Sequence, residues 1–128
     1  MILDRSAVVA IMLREPGWEH LLARMRDAPR LGIGAPTLLE AGIVVSARVG
    51  DDARGRLARL LLESGIVVLP VTDAHFGVAM EAWLRYGKGR HPAALTFGDC
   101  LAYATAVVAG EPLLCVGDDF PQTDCPLA

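Results

Sequence analysis

The feature that most constrains the fold is the alternation of short apolar runs with longer stretches of helical spacing. Continuous apolar runs predict strands at 1–3, 31–35, 66–71 and 113–116, and helical spacing of apolar residues fills the stretches between them. A strand that is buried on both faces has an uninterrupted apolar sequence, which is typical of parallel sheets. The sequence therefore predicts an α/β fold with a central, mainly parallel β-sheet flanked by α-helices.

Length and composition fit one globular domain over residues 1–128. Hydrophobic residues make up 53% and charged residues 21%, which excludes a disordered chain. No apolar run reaches the ~18 residues of a membrane helix, and no signal peptide is visible. Three cysteines without metal-ligand spacing favour a reducing cytoplasm. The net charge of −3 argues against a protein that coats nucleic acid, but it does not exclude an enzyme that contacts a short stretch of RNA.

Four acidic positions stand where strands end or helices begin. Asp4 and the pair Asp118 and Asp119 follow predicted strands, whereas Glu40 and Asp99 are expected in the first turns of helices. The carboxyl ends of parallel strands and the amino ends of the following helices share one edge of an open sheet, where ligands bind. We therefore expect these carboxylates to converge. Carboxylates at such a place repel each other unless a cation lies between them, and oxygen ligands suit Mg²⁺ or Mn²⁺.

Each acid also has a purely structural interpretation. Thr37-x-x-Glu40 and Thr96-x-x-Asp99 have the spacing of capping boxes, in which the acid closes the first helical turn. Asp4 is a candidate cap for the first helix, and the later aspartate pair is a candidate turn. The four positions taken together favour a shared metal site over four unrelated caps.

A cationic loop precedes the helix that carries Asp99. Lys88, Arg90 and His91 lie in this loop, and Arg85 lies just before it. Cations are favoured after a helix C-terminus in any protein, so a solvated loop is the alternative to a surface that contacts RNA phosphates. Because the loop leads directly into the Asp99 helix, we favour the RNA-contact interpretation.

Five motifs together resemble the PIN-domain family, and most closely the VapC toxins of bacterial toxin–antitoxin pairs. They are Met1–Asp4, Leu38–Ala41, Tyr86–Pro92, Phe97–Cys100 and Gly117–Phe120. Each motif alone is a weak signal, but the ordered set spans essentially the whole chain. The resemblance implies a single PIN domain with Mg²⁺-dependent endoribonuclease activity. It also implies a homodimer and a cognate VapB-type antitoxin that holds the enzyme inactive.

The resemblance assigns roles to individual acids. Asp4, Glu40 and Asp99 match the acids of the family, and Asp119 is preferred over Asp118 as the fourth because an aromatic residue follows it. Asp4 and Asp99 are expected as the principal Mg²⁺ ligands. The other two would act through water, orient the nucleophile or hold a second ion.

Two residues depart from the family's pattern. Arg5 stands beside Asp4 where a small or hydroxyl residue is usual, and Thr96 stands where asparagine is common. Arg5 is expected either to bind a substrate phosphate or to compete with the metal ion for Asp4.

Two classes of function are consistent with these residues. The first is hydrolysis of RNA phosphodiester bonds at a carboxylate-bound Mg²⁺, which leaves a 5′-phosphate and a 3′-hydroxyl. The alternative is a non-catalytic α/β module that binds a partner or a nucleotide. The second class needs no metal ion, so metal binding separates the two.

Overall fold

The computed structural model describes residues 1–128. The strands are β1 (Ile2–Leu3), β2 (Leu31–Gly34), β3 (Ile66–Leu69) and β4 (Leu113–Leu114). The helices are α1 (Arg5–Leu13), α2 (Trp18–Asp27), α3 (Ala35–Val49), α4 (Arg54–Ser64), α5 (Asp73–Tyr86) and α6 (Phe97–Ala109), and a short 3-10 helix covers Phe120–Gln122. None of these helices has both the length and the apolar character that a membrane span requires.

The strands form one four-stranded sheet in the order β3-β2-β1-β4. Every strand pairing is parallel, with Ile2 opposite both Gly32 and Leu113, and Leu31 opposite Ile66. Parallel neighbours need a crossover connection, which the helices supply. The predicted α/β fold is therefore confirmed, and its sheet is wholly rather than mainly parallel.

Helices cover both faces of the sheet, because adjacent strand residues point to opposite sides. Leu3 and Leu114 join an apolar cluster with residues of α1, α2, α3 and α4. Ile2 and Leu113 join a second cluster with residues of α5 and α6. With both faces covered, the strand ends are the part of the sheet that a ligand can reach.

All four strands are shorter than the apolar runs predict, β1 and β2 by one residue and β3 and β4 by two. β3 ends at Leu69 because Pro70 follows, and proline has no N–H for the strand ladder. β4 ends at Leu114, so residues 115–119 leave the sheet. This segment leads to Phe120, where the 3-10 helix begins.

Helix α3 begins at Ala35, two residues earlier than predicted. Gly34 is its N-cap, and Pro36 lies in the first turn, where a missing N–H costs no intrahelical hydrogen bond. Thr37 therefore lies inside the helix and does not cap it. The predicted capping box and the first-turn position of Glu40 are wrong, because the early start of the helix puts Glu40 in its second turn.

Candidate functional site

Asp4 lies at the junction of β1 and α1, where it caps the helix. Its Oδ2 accepts hydrogen bonds from the backbone N–H of Ser6 at 2.9 Å and from the Ser6 hydroxyl at 2.5 Å. The same hydroxyl accepts a hydrogen bond from the backbone N–H of Val116 at 2.9 Å. Ser6 thus connects the segment after β4 to the carboxylate after β1. Ser6 is absent from the predicted site residues, although a hydroxyl two positions after a capping aspartate is a signal for such a contact.

Asp99 lies in the first turn of α6 and forms the predicted capping box with Thr96. Asp99 Oδ2 accepts a hydrogen bond from the Thr96 backbone N–H at 2.9 Å, and Thr96 Oγ1 accepts one from the Asp99 backbone N–H at 3.3 Å. The structural interpretation is therefore confirmed for Asp99, as it is for Asp4. Both caps use Oδ2, so the second oxygen of each carboxylate is free for another ligand.

Asp4 and Asp99 are both buried without a counter-ion, and the charge of Asp99 acts on Asp4; we call them the buried pair. The two residues are only 4% and 8% exposed, and neither takes part in an ion pair. Burial is the main cause that raises the pKa of Asp4, and the charge of Asp99 adds to it. No buried side-chain oxygen lacks a hydrogen-bond partner, so the free carboxylate oxygens reach solvent. Such a pair favours a bound cation, because a cation relieves the repulsion between the two charges.

The segment after β4 carries Asp119, the third aspartate of the predicted site, which is exposed. Burial, together with the charges of Asp4, Asp99 and Asp119, raises the pKa of the Cys115 thiol to about 11. Asp118 is not among the carboxylates that act on this thiol. Cys115 packs against the apolar cluster that includes residues of α5 and α6, and at neutral pH its thiol is protonated. We call the three aspartates, together with Glu40, the carboxylate edge.

Glu40 reaches the carboxylate edge from α3 and is held on two sides. Arg5 Nη1 donates a hydrogen bond to Glu40 Oε1 at 3.0 Å. The other carboxylate oxygen lies against Gly98, where an added Cβ would collide with it. Gly98 is absent from the predicted site residues, yet its lack of a side chain leaves the space that the Glu40 carboxylate occupies. The expected competition of Arg5 for Asp4 is wrong, because the guanidinium pairs with Glu40 instead.

The carboxylate edge offers a metal ion few ligands at any one point. No three Asp, Glu, His or Cys side chains lie close enough together to hold an ion between them. Mg²⁺ commonly binds through one or two carboxylates and keeps several of its waters. The uncompensated pair of Asp4 and Asp99 fits such an ion, and Glu40 and Asp119 are candidates for contacts through water.

Comparison with known proteins identifies the family. The family model described as PIN domain matches residues 1–125. A VapC ribonuclease of Mycobacterium bovis is 49% identical over 125 residues, which are 97% of this chain and 90% of that protein. The chain belongs to the VapC group of the PIN-domain family. The resemblance that the five motifs carry is thereby confirmed.

Other relatives of this PIN domain agree with that assignment. A ribonuclease VapC of Mycolicibacterium smegmatis is 42% identical and covers 97% of this chain and 96% of its own length. Mycobacterium tuberculosis VapC20, described as a Sarcin-Ricin loop cleaving toxin, superposes with a TM-score of 0.77 at 18% identity, over 99% of this chain and 97% of that chain. A toxin–antitoxin complex from Klebsiella pneumoniae gives a TM-score of 0.73 at 15% identity, over 99% and 95%. At such low identity the two structures show the shared fold alone.

The four cations predicted to contact RNA lie in or beside a loop of this PIN domain, and most of them have structural partners. Arg85 forms an ion pair with Asp124 at 3.0 Å. Arg90 lies over a tryptophan ring at 4.8 Å, and His91 Nδ1 accepts a backbone N–H from within the loop at 3.0 Å. Lys88 is exposed and forms no ion pair. RNA binding by these residues stays a prediction.

Proposed function

We propose that this chain is a Mg²⁺-dependent endoribonuclease toxin that hydrolyses RNA phosphodiester bonds at the carboxylate edge. The observation that carries the proposal is the buried pair of Asp4 and Asp99, which lacks any counter-ion and is oriented through one oxygen of each residue. The names of the relatives, which are VapC ribonucleases, support the reaction class. Mn²⁺ would substitute for Mg²⁺, since both ions prefer oxygen ligands.

Each residue of the carboxylate edge has a role in the proposed reaction. Asp4 and Asp99 would hold the ion, which when bound supplies an activated water and stabilises charge on the leaving oxygen. Backbone caps orient both carboxylates before substrate arrives, which avoids reorganisation during the reaction. Glu40, fixed by Arg5, would orient the attacking water. Asp119 is preferred over Asp118 as the fourth acid, because the aromatic residue Phe120 follows it, as in the family's motif.

Removal of divalent ions is the direct test of this function. We expect excess chelator to stop cleavage of RNA and added Mg²⁺ to restore it, with 5′-phosphate and 3′-hydroxyl ends on the products. Mg²⁺ at about 100 times its Kd should also stabilise the folded chain by about 2.7 kcal/mol. Thermal unfolding measures this effect, and Asp4→Asn is the variant in which it should disappear. Undiminished cleavage in chelator would contradict the proposal.

A non-catalytic module that binds a partner or a nucleotide is the second candidate. The observation in its favour is that no three potential ligands surround a common point. Calorimetric titration with Mg²⁺ and Mn²⁺ separates the two candidates, because the module needs neither ion. A chain that binds RNA without binding either ion, and without cutting RNA, would be such a module.

We further propose a VapB-type antitoxin as the partner of this chain. The name VapC of its relatives and the toxin–antitoxin complex from Klebsiella pneumoniae support this proposal. A negative edge suits an arginine from the partner, because charge-assisted hydrogen bonds to carboxylates are strong. The homodimer is likewise proposed, and sedimentation of the purified chain would decide it. A reducing cytoplasm is the proposed compartment, in keeping with three free cysteines.

The proposed RNA contact of the cationic loop is tested most cleanly at Lys88, because this residue has no ion pair to lose. Lys88→Ala should reduce the slope of log affinity against log salt concentration by about 0.7 to 1. Affinity is measured in an Asp99→Asn background so that the RNA stays intact. Arg56→Ala is the matched control, since Arg56 is also exposed and lies on α4. If the Asp99→Asn chain gives the same slope with and without Lys88→Ala, Lys88 does not contact an RNA phosphate.

A further inference from the structure

An exposed aromatic ring stands beside the carboxylate edge. Phe97 is the first residue of α6, two positions before Asp99, and it is 83% exposed. A single exposed apolar residue is ordinary on a protein surface. Phe97 is different because two other large apolar residues, Leu39 and Ile43, are 65% and 60% exposed on the neighbouring helix α3.

These residues line one open cleft, which we call the Phe97 cleft. It has a volume of about 490 Å³ and lies between α3 and α6. Phe97, Leu39, Ile43 and Leu101 supply apolar surface, and the paired side chains of Arg5 and Glu40 supply charge. Clefts with an apolar lining and a few polar groups are typical of sites for small organic groups. A flat ring with polar edges matches this lining.

We propose that the Phe97 cleft binds an unpaired nucleobase of the RNA substrate, stacked on the Phe97 ring next to the scissile phosphate. This proposal rests on the proposed ribonuclease function and adds to it a binding site for one base. Proteins that bind single strands stack bases on exposed aromatic rings, and any base can stack because each has a π-face. Bases within a duplex are already stacked and paired, so they do not present a face to such a ring.

The charged pair in the cleft favours RNA over an apolar protein segment. The Arg5 side chain is 39% exposed, and only its Nη1 is engaged by Glu40. Its remaining N–H groups are available to a phosphate or to an acceptor on a base. Glu40 of the carboxylate edge lines the same cleft as Phe97, so a base stacked on the ring lies beside that edge.

The test measures stacking directly and does not depend on cleavage. A short single-stranded RNA carrying 2-aminopurine, a fluorescent base whose emission falls on stacking, is titrated with the Asp99→Asn variant in Mg²⁺. Adding Phe97→Leu should weaken binding by about 5- to 150-fold and abolish the fall in emission. Phe97→Tyr keeps an aromatic ring, so it should retain both the affinity for RNA and the fall in emission. Leu62→Ala is the control, because Leu62 is 84% exposed on α4 and does not line the cleft.

Several outcomes would overturn the proposal. The first is that Phe97→Leu changes neither the affinity for RNA nor the quenching of 2-aminopurine. If the parent chain still cleaves RNA in that case, the proposed ribonuclease function is unaffected. The second is an equal loss of affinity for duplex RNA, which would make Phe97 a general contact. The third is a change confined to the association state in sedimentation, which would make the cleft a protein interface. A parent chain that neither binds nor cleaves RNA would overturn both this proposal and the function beneath it.

Discussion

Replacing Asp99 by asparagine should lower RNA cleavage by about 10³-fold and leave the fold intact. In the proposed function the buried pair would supply the charge that holds the ion. A bound ion contributes several kcal/mol of transition-state stabilisation, at 1.36 kcal/mol per tenfold in rate. The amide oxygen can still accept the hydrogen bond from the Thr96 backbone N–H that Asp99 Oδ2 accepts now. The free energy of unfolding of the variant should therefore lie within about 1 kcal/mol of that of the parent. Single-turnover cleavage and denaturant unfolding measure the two effects separately.

Thr96→Ala is the complementary variant to Asp99→Asn, because it changes the helix cap and not the carboxylate. It removes the hydroxyl that accepts the Asp99 backbone N–H and keeps the carboxylate. We expect it to cost about 1 kcal/mol of stability and to retain most of the activity. If Asp99→Asn cleaves RNA as fast as the parent in Mg²⁺, Asp99 is a cap and nothing more.

Replacing Gly98 by alanine should lower cleavage by about 10- to 100-fold without loss of stability. The new Cβ would collide with the carboxylate of Glu40, which must then turn away from the amino end of α6. Because the colliding atoms end a flexible side chain, the backbone need not move. Alanine in a helix is also favoured over glycine by up to about 1 kcal/mol. The cleavage rate should therefore fall while the free energy of unfolding rises.

Gly55 offers a control at the equivalent helical position. It is the second residue of α4, as Gly98 is of α6, and nothing lies within 4 Å of a Cβ added there. Gly55→Ala should gain similar stability and leave cleavage unchanged. Glu40→Gln should add no further loss in the Gly98→Ala background, because both changes act on the same carboxylate. A Gly98→Ala variant with parental activity would show that this position of Glu40 does not matter for cleavage.

The fold was largely predictable because its signals are local. Strands buried on both faces are continuous apolar runs, and Gly50, Gly65 and Gly110 mark helix ends in the left-handed conformation that glycine adopts without strain. The limits of the strands were less predictable. The residues after Leu114 are as apolar as a strand, yet the backbone N–H of Val116 bonds to a side chain on α1 and not to a neighbouring strand.

The sequence predicts the residues of the candidate site but not the contacts that they make. The prediction rests on the order of the acids along the chain, because strand ends of a parallel sheet share an edge. The partner of Arg5 lies 35 residues away on α3, and no local pattern indicates which carboxylate a long side chain will choose. The approach of Glu40 to Gly98 likewise depends on how closely α3 and α6 pack. Such contacts are set by tertiary structure, which spacing along the sequence does not encode.

The aspartate at the start of α1 has a consequence for how such a chain can change over evolutionary time. Asp4 is the N-cap of that helix, and asparagine is about as good an N-cap as aspartate. With Asp4 holding the ion as proposed, one substitution to asparagine would leave a well-folded protein without its activity. Such an inactive copy would still occupy any partner that recognises the shape of the active protein.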